Sequence, residues 1–97
     1  VAQIVYSARS LANLQRAFDF LRGKSPAAAA AAAIAIRTAV EALALHPLIG
    51  RRIEGDLREL VISYGDSGYI AVYRYLVASD EVRILAIRHQ REIGYVP

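Results

Sequence analysis

From residue 57 to residue 89 the chain falls into three runs of alternating side-chain character, Leu57–Tyr64, 69–76 and 82–89. They are parted by Gly65-Asp66-Ser67-Gly68 and Ala78-Ser79-Asp80. Runs rich in Val, Ile and Tyr, broken by short Gly, Asp and Ser clusters, predict a three-stranded meander. In the first run Leu60, Ile62 and Tyr64 share a face opposite Glu59, Val61 and Ser63. In the second, Ile70, Val72, Arg74 and Leu76 alternate with Tyr69, Ala71, Tyr73 and Tyr75. In the third, Arg83, Leu85, Ile87 and His89 alternate with Val82, Ile84, Ala86 and Arg88. Neither set is cleanly polar, so both faces of the sheet are expected to be at least half covered.

The first half of the chain supplies a cover. A short apolar run, 2–6, predicts a first strand, and Ser7 after it is placed to cap a helix over 8–22. Leu11, Leu14, Phe18 and Leu21 recur at helical spacing there, with Gly23 expected to end the helix in a left-handed conformation. Ser25-Pro26 opens a second helix, and the seven alanines at 27–33 have the best intrinsic propensity for it. Ile36, Val40 and Leu43 continue its apolar stripe until Pro47 and Gly50 turn the chain. Residues 51–56 read as a charged connector. The expected order is β-α-α-β-β-β, an α+β single domain over 1–97 with a helical hairpin packed on a small, mainly antiparallel sheet.

Composition narrows the chemistry. The chain has 97 residues, no cysteine and a net charge of +3. The missing thiols exclude disulfides and thiolate metal sites and suit a reducing, cytoplasmic setting. No apolar run is expected to reach the ~20 residues of a membrane span, and no charged stretch with an apolar core opens the chain. His46 and His89 sit in different elements without carboxylates at ligand spacing, so no metal or other cofactor is expected. No serine sits in a nucleophile motif, and Gly65 and Gly68 fit a hairpin turn better than a phosphate cradle.

What remains is a basic and aromatic set, Arg58, Arg74, Arg83, Arg88, His89, Arg91 and Tyr95. Such groups can cleave RNA without metal, a base activating the 2′-hydroxyl while guanidinium groups stabilise the phosphorane. The plainer reading pairs these arginines with nearby acids. From Gly50 onward there are seven arginines and seven acids, so no net positive field faces a polyanion and direct DNA binding is not expected.

The ordered motifs resemble the RelE/ParE superfamily of toxins from bacterial type II toxin–antitoxin modules. Ser10-Leu11-Ala12-Asn13-Leu14 followed by Phe18-Asp19-Phe20-Leu21 resembles the family's first helix, with Ser10 and Asn13 replacing the usual Ala and Asp. Leu45-His46-Pro47-Leu48-Ile49-Gly50-Arg51 is similar to its junction between helix and sheet. Leu57-Arg58-Glu59-Leu60, Gly68-Tyr69, Val72-Tyr73-Arg74 and Ile84-Leu85-Ala86-Ile87-Arg88-His89 follow as its strand signatures.

The resemblance implies a toxin neutralised by a cognate antitoxin, with Arg58, Arg74, Leu11 and Phe18 as antitoxin-binding positions. RelE-like members cut mRNA on the ribosome through basic residues on the meander. By ungapped matching those positions here are Val61, Ser63 and Ile70. The Arg88-His89-Gln90-Arg91 ending resembles the ParE branch, whose members inhibit DNA gyrase without catalytic residues of their own. The expectation is therefore a gyrase inhibitor with Arg88, His89, Arg91 and Tyr95 on its target and no catalytic set. The alternatives are a ribosome-dependent endonuclease and a degenerate, non-toxic antitoxin-binding module.

Overall fold

Two serines set where the helices begin. The computed structural model of the chain describes residues 1–64 and 67–90. Ser7 is extended and its hydroxyl accepts the Ser10 amide at 3.0 Å, opening α1 (Ala8–Lys24). Ser25 accepts the Ala28 amide at 3.2 Å and opens α2 (Pro26–Glu41), with Pro26 in its first turn where no donor is needed. The Ser25 amide also donates to Leu21, closing α1. Gly23, expected to end the first helix, lies inside it, because the Ser25 cap stops the helix without a left-handed residue. Positive φ among the described residues occurs at Gly55 and Asp80.

The sheet is α+β in setting and has one strand more than expected. Its strands are β1 (Gln3–Tyr6), β2 (Arg51–Glu54), β3 (Leu57–Tyr64), β4 (Ser67–Leu76) and β5 (Glu81–His89). They lie in the order β1-β5-β4-β3-β2, with β1 parallel to β5 and every other pair antiparallel. The segment expected to be a connector is β2. All four of its residues are exposed, so it shows none of the apolar alternation that marks a strand. Gly55 at φ +55° makes the tight turn that pairs it with β3. The β3–β4 turn was expected at 65–68; Gly65 and Asp66 lie outside the described residues, and pairing resumes at Tyr64 with Ser67.

One face of the sheet carries the helices. Ile36, Val40 and Leu43 pack there with Ile62, Tyr69, Ala71, Tyr73, Val82, Ile84 and Ile87. Ala29 and Ala32 are buried along α2, where their small side chains let the helix sit close. A smaller cluster, Leu57, Ile70, Val72 and Ala86, lies on the opposite face. Both faces thus carry buried apolar residues, but only one carries helices.

Strict alternation fails in β5. Val72 pairs with Ala86 but Tyr73 pairs with Ile84, so Leu85 is an extra residue, a β-bulge. Ile84 and Ile87 consequently both face the helices, while Ala86 and Arg88 face away. Side chains of α1 and its cap satisfy the bulge. The Ser7 hydroxyl donates to the Leu85 carbonyl at 3.1 Å, and Asn13 Oδ1 accepts the Ile87 amide at 3.0 Å.

The expectation that no apolar run reaches membrane-spanning length needs correction. α2 with the 3₁₀ turn after it, Pro26–Ala44, is a 19-residue helix long and apolar enough, by length and composition, to cross a membrane. Its alanines and the added turn bring it to that length. One stripe of it serves the core, with Ala29, Ala32, Ile36, Val40 and Leu43 buried, while Ile34 on another side is exposed.

Between helix and sheet the chain is held by one phenol. The buried Tyr73 hydroxyl accepts the Gly50 amide at 2.8 Å and donates to the Pro47 carbonyl at 2.8 Å. A Cβ on Gly50 would meet the Tyr73 ring and hydroxyl at 2.5 Å and the Glu59 carbonyl at 2.9 Å, so the approach requires glycine. Burial raises the Tyr73 pKa above 10.0, against the Gly50 amide and Arg58, which lower it. Tyr73→Phe leaves the buried Gly50 amide and the part-buried Pro47 carbonyl without this partner and is expected to cost about 1–3 kcal/mol in urea unfolding. Because the folded-state pKa is raised, the contribution of the neutral phenol is complete below pH 10.0 and is lost as pH rises through the folded value. The gap between wild type and variant should therefore stay constant up to about pH 10 and narrow only above it.

Candidate functional site

The helix-free face of the sheet holds a charged cluster built on Glu59. β3 presents Glu59 and Val61 there, β4 presents Ile70, Val72 and Arg74, and β5 presents Arg88. Glu59 is 8% exposed and bonds the guanidinium of Arg51 on β2; its second oxygen lies 3.5 Å from Arg88, itself 16% exposed. A carboxylate so far from water needs cations beside it, and two strands supply them.

The positions matched to the nuclease pattern lie in one neighbourhood. Val61 is directly opposite Ile70, and Ile70 directly opposite Arg88, across three strands. Ser63 follows Val61 on the same side of β3. The row beside Arg88 is thus Ile70 and Val61, neither able to hold a charge on a phosphorane or move a proton. Arg88 is turned to Glu59 within this row.

The other expected target-binding residues separate. His89 follows Arg88 on an extended strand and lies on the helix side, its ring edge-on to Tyr69 at 5.6 Å and 83°. Arg88 and His89 therefore belong to opposite faces of the strand's end. Arg91 and Tyr95 lie outside the described residues.

The expected antitoxin-binding residues also divide. Leu11 is exposed on α1, whereas Phe18 is half-buried against the core. Arg74 bonds Asp56 at 2.7 Å on the helix-free face. Arg58 points the other way and donates to the Leu48 carbonyl at 3.1 Å and the Gly50 carbonyl at 2.9 Å. It clips the same loop that Tyr73 holds.

That loop carries what the sequence reading missed. Leu45, Leu48 and Ile49 are more than half exposed, and His46, Pro47, Leu48, Ile49 and Tyr75 line an apolar hollow of ≈ 540 Å³. The Tyr75 hydroxyl donates to Asp80 at 2.7 Å, which raises its pKa, with burial and the Asp80 charge adding to the rise. The signal was available: three large aliphatic residues within five positions, around a proline that keeps them out of a helix. Among the described residues no group of three His, Cys, Asp or Glu side chains is placed to hold a metal.

Comparison with known proteins places these features in a family. The family profile described as the ParE toxin of the type II toxin–antitoxin system parDE matches residues 4–94. The chain is similar to Toxin RelE2 of Caulobacter vibrioides, 40% identical over 89 residues, covering 92% of this chain and 96% of that one. It is also similar to Toxin RelE3 of the same organism, 40% identical over 84 residues, covering 87% and 86%.

Glu59→Ala removes the acceptor shared by Arg51 and Arg88 and leaves Arg88 on an apolar row. Unfolding stability is expected to fall by about 1–3 kcal/mol. A double variant with Arg88→Met should recover part of that loss; a purely additive result in chemical denaturation would disprove the coupling.

Proposed function

The chain belongs to the ParE toxin family of type II toxin–antitoxin systems, and from that premise we propose that it arrests growth by binding DNA gyrase. Toxins of this type bind a cognate protein antitoxin, which holds the activity in check until it is lost. The proposed target is reached in the cytoplasm, by surface contact and without chemistry on the target's covalent bonds.

The observation that carries this reading is the Val61–Ile70–Arg88 row. An RNA-cleaving site needs cations and a proton-transfer group converging on one phosphate. On this face the row supplies two aliphatic side chains and one arginine already turned to Glu59. A binding surface has no such requirement. The end of β5 offers Arg88 on one face and His89 on the other, next to Arg91 in the sequence.

A second reading, a ribosome-dependent mRNA endonuclease, has its own support. Both similar toxins carry the name RelE, and Arg51 and Arg88 approach one carboxylate from two strands. Under that reading Glu59 would have to release its arginines to the RNA.

The two readings part in one paired assay. Purified toxin is added to a gyrase supercoiling reaction and, separately, to a reconstituted translation reaction. Gyrase inhibition with intact mRNA is expected, and Arg88→Ala together with Arg91→Ala should weaken it about tenfold or more while antitoxin binding persists. Codon-positioned cuts in mRNA with supercoiling unaffected would replace the first reading by the second.

A further inference from the structure

The loop at 46–50 combines three properties that an ordinary connector lacks. It is rigid, because Tyr73 bonds both Gly50 and Pro47 and Arg58 bonds Leu48 and Gly50. Its aliphatic side chains point outward, with Leu45 67%, Leu48 58% and Ile49 59% exposed. An apolar hollow opens between the loop and Tyr75. Holding three large apolar groups in water on a fixed backbone is unfavourable for the free chain and favourable for an interface, since no ordering is needed on binding.

The charge beside the loop specifies the occupant. Arg52 of β2 and Arg58 of β3 are directly opposite each other, a like-charge cross-strand pair that costs stability. Arg22, Arg37, Arg51, Arg74, Arg83 and Arg88 each approach a carboxylate. Arg52 and Arg58 instead donate to main-chain carbonyls, those of Gly55, Leu48 and Gly50. Arg58 on the loop carbonyls and Arg52 at the Gly55 turn, two cations along the β2–β3 edge, match a segment carrying aliphatic side chains followed by carboxylates.

We propose that loop 46–50, with Tyr75 and the Arg52–Arg58 pair, is the docking site for an acidic, apolar segment of the cognate antitoxin. This rests on the reading of the chain as a toxin held by an antitoxin, and is independent of whether the target is gyrase. The loop anchors the segment's aliphatic residues, and the arginine pair fixes its direction. Arg74, by contrast, already has Asp56 and takes no part.

The test uses the purified full chain and the purified antitoxin encoded beside it, titrated calorimetrically at low and high salt. Arg52→Glu and Leu48→Glu are both at exposed positions, and thermal melts establish that the variants remain folded. Arg52→Glu is expected to weaken binding about tenfold or more at low salt, with the deficit shrinking at high salt. Leu48→Glu should weaken it comparably at either salt, and Leu48→Ile should bind as wild type does. Affinities of both glutamate variants within about twofold of wild type would overturn the proposal. So would variants that lose toxicity while binding the antitoxin normally, since the loop would then belong to the target. A chain that leaves gyrase untouched yet shows the expected binding losses retains this docking site and discards only the gyrase reading.

Discussion

An extra residue in a strand leaves a carbonyl and an amide without partners across the ladder. Leu85 imposes that condition on β5, the strand between β1 and β4. The Leu85 carbonyl is met by the capping Ser7, and the nearby Ile87 amide by Asn13 one and a half turns later. These bonds fix how α1 lies on the sheet, and with it the line of Leu14, Phe18 and Leu21 against the core. The same bulge re-aims everything after it on β5. Without it, Arg88 would face the helices and Glu59 would lose its neighbour on the open face.

Much of the fold was legible because its signals are local. Ser7, Ser25-Pro26 and the alanine run place both helices, and the bounds of β3 follow from its alternation. What escaped depended on partners distant in the chain. β2 has no apolar face and exists through its pairing to β3; its one local sign was Gly55-Asp56, a two-residue hairpin turn. The bulge is invisible in the sequence, since Leu85 looks like any strand residue. That is why alternation put Ile84 and Ile87 on opposite faces although they share one. Gly23 misled because glycine ends helices often, whereas here a serine two positions later closes one helix and opens the next.

The distribution of charge separates two surfaces with different physical tasks. On the helix-free face arginines lie against carboxylates: Arg51 and Arg88 share Glu59, Arg74 meets Asp56 and Arg83 meets Glu81. At the β2–β3 edge on the helix side they are held by main-chain carbonyls and keep their full charge. The first arrangement adds rigidity and spends little field on solvent; the second projects it. Arg58 was expected to meet a partner's carboxylates, and its two carbonyl bonds leave its charge available to do so while it also fixes the loop beside it.

The pairing of β1 with β5 has a consequence in time. Within this domain β1 is the earliest strand and β5 the latest, and they lie side by side in parallel. Chains are synthesised at roughly 5–20 residues per second, and long-range parallel pairing is slow to form. Until Glu81–His89 has emerged, β1 has no strand to pair with and α1 has neither the Leu85 carbonyl nor the Ile87 amide to bind. Every earlier nascent form exposes the apolar stripe of α1 without β5, the strand it docks on. A ribosome that stalls before β5 therefore releases a chain in which β1 has no neighbour and α1 has no strand beneath it.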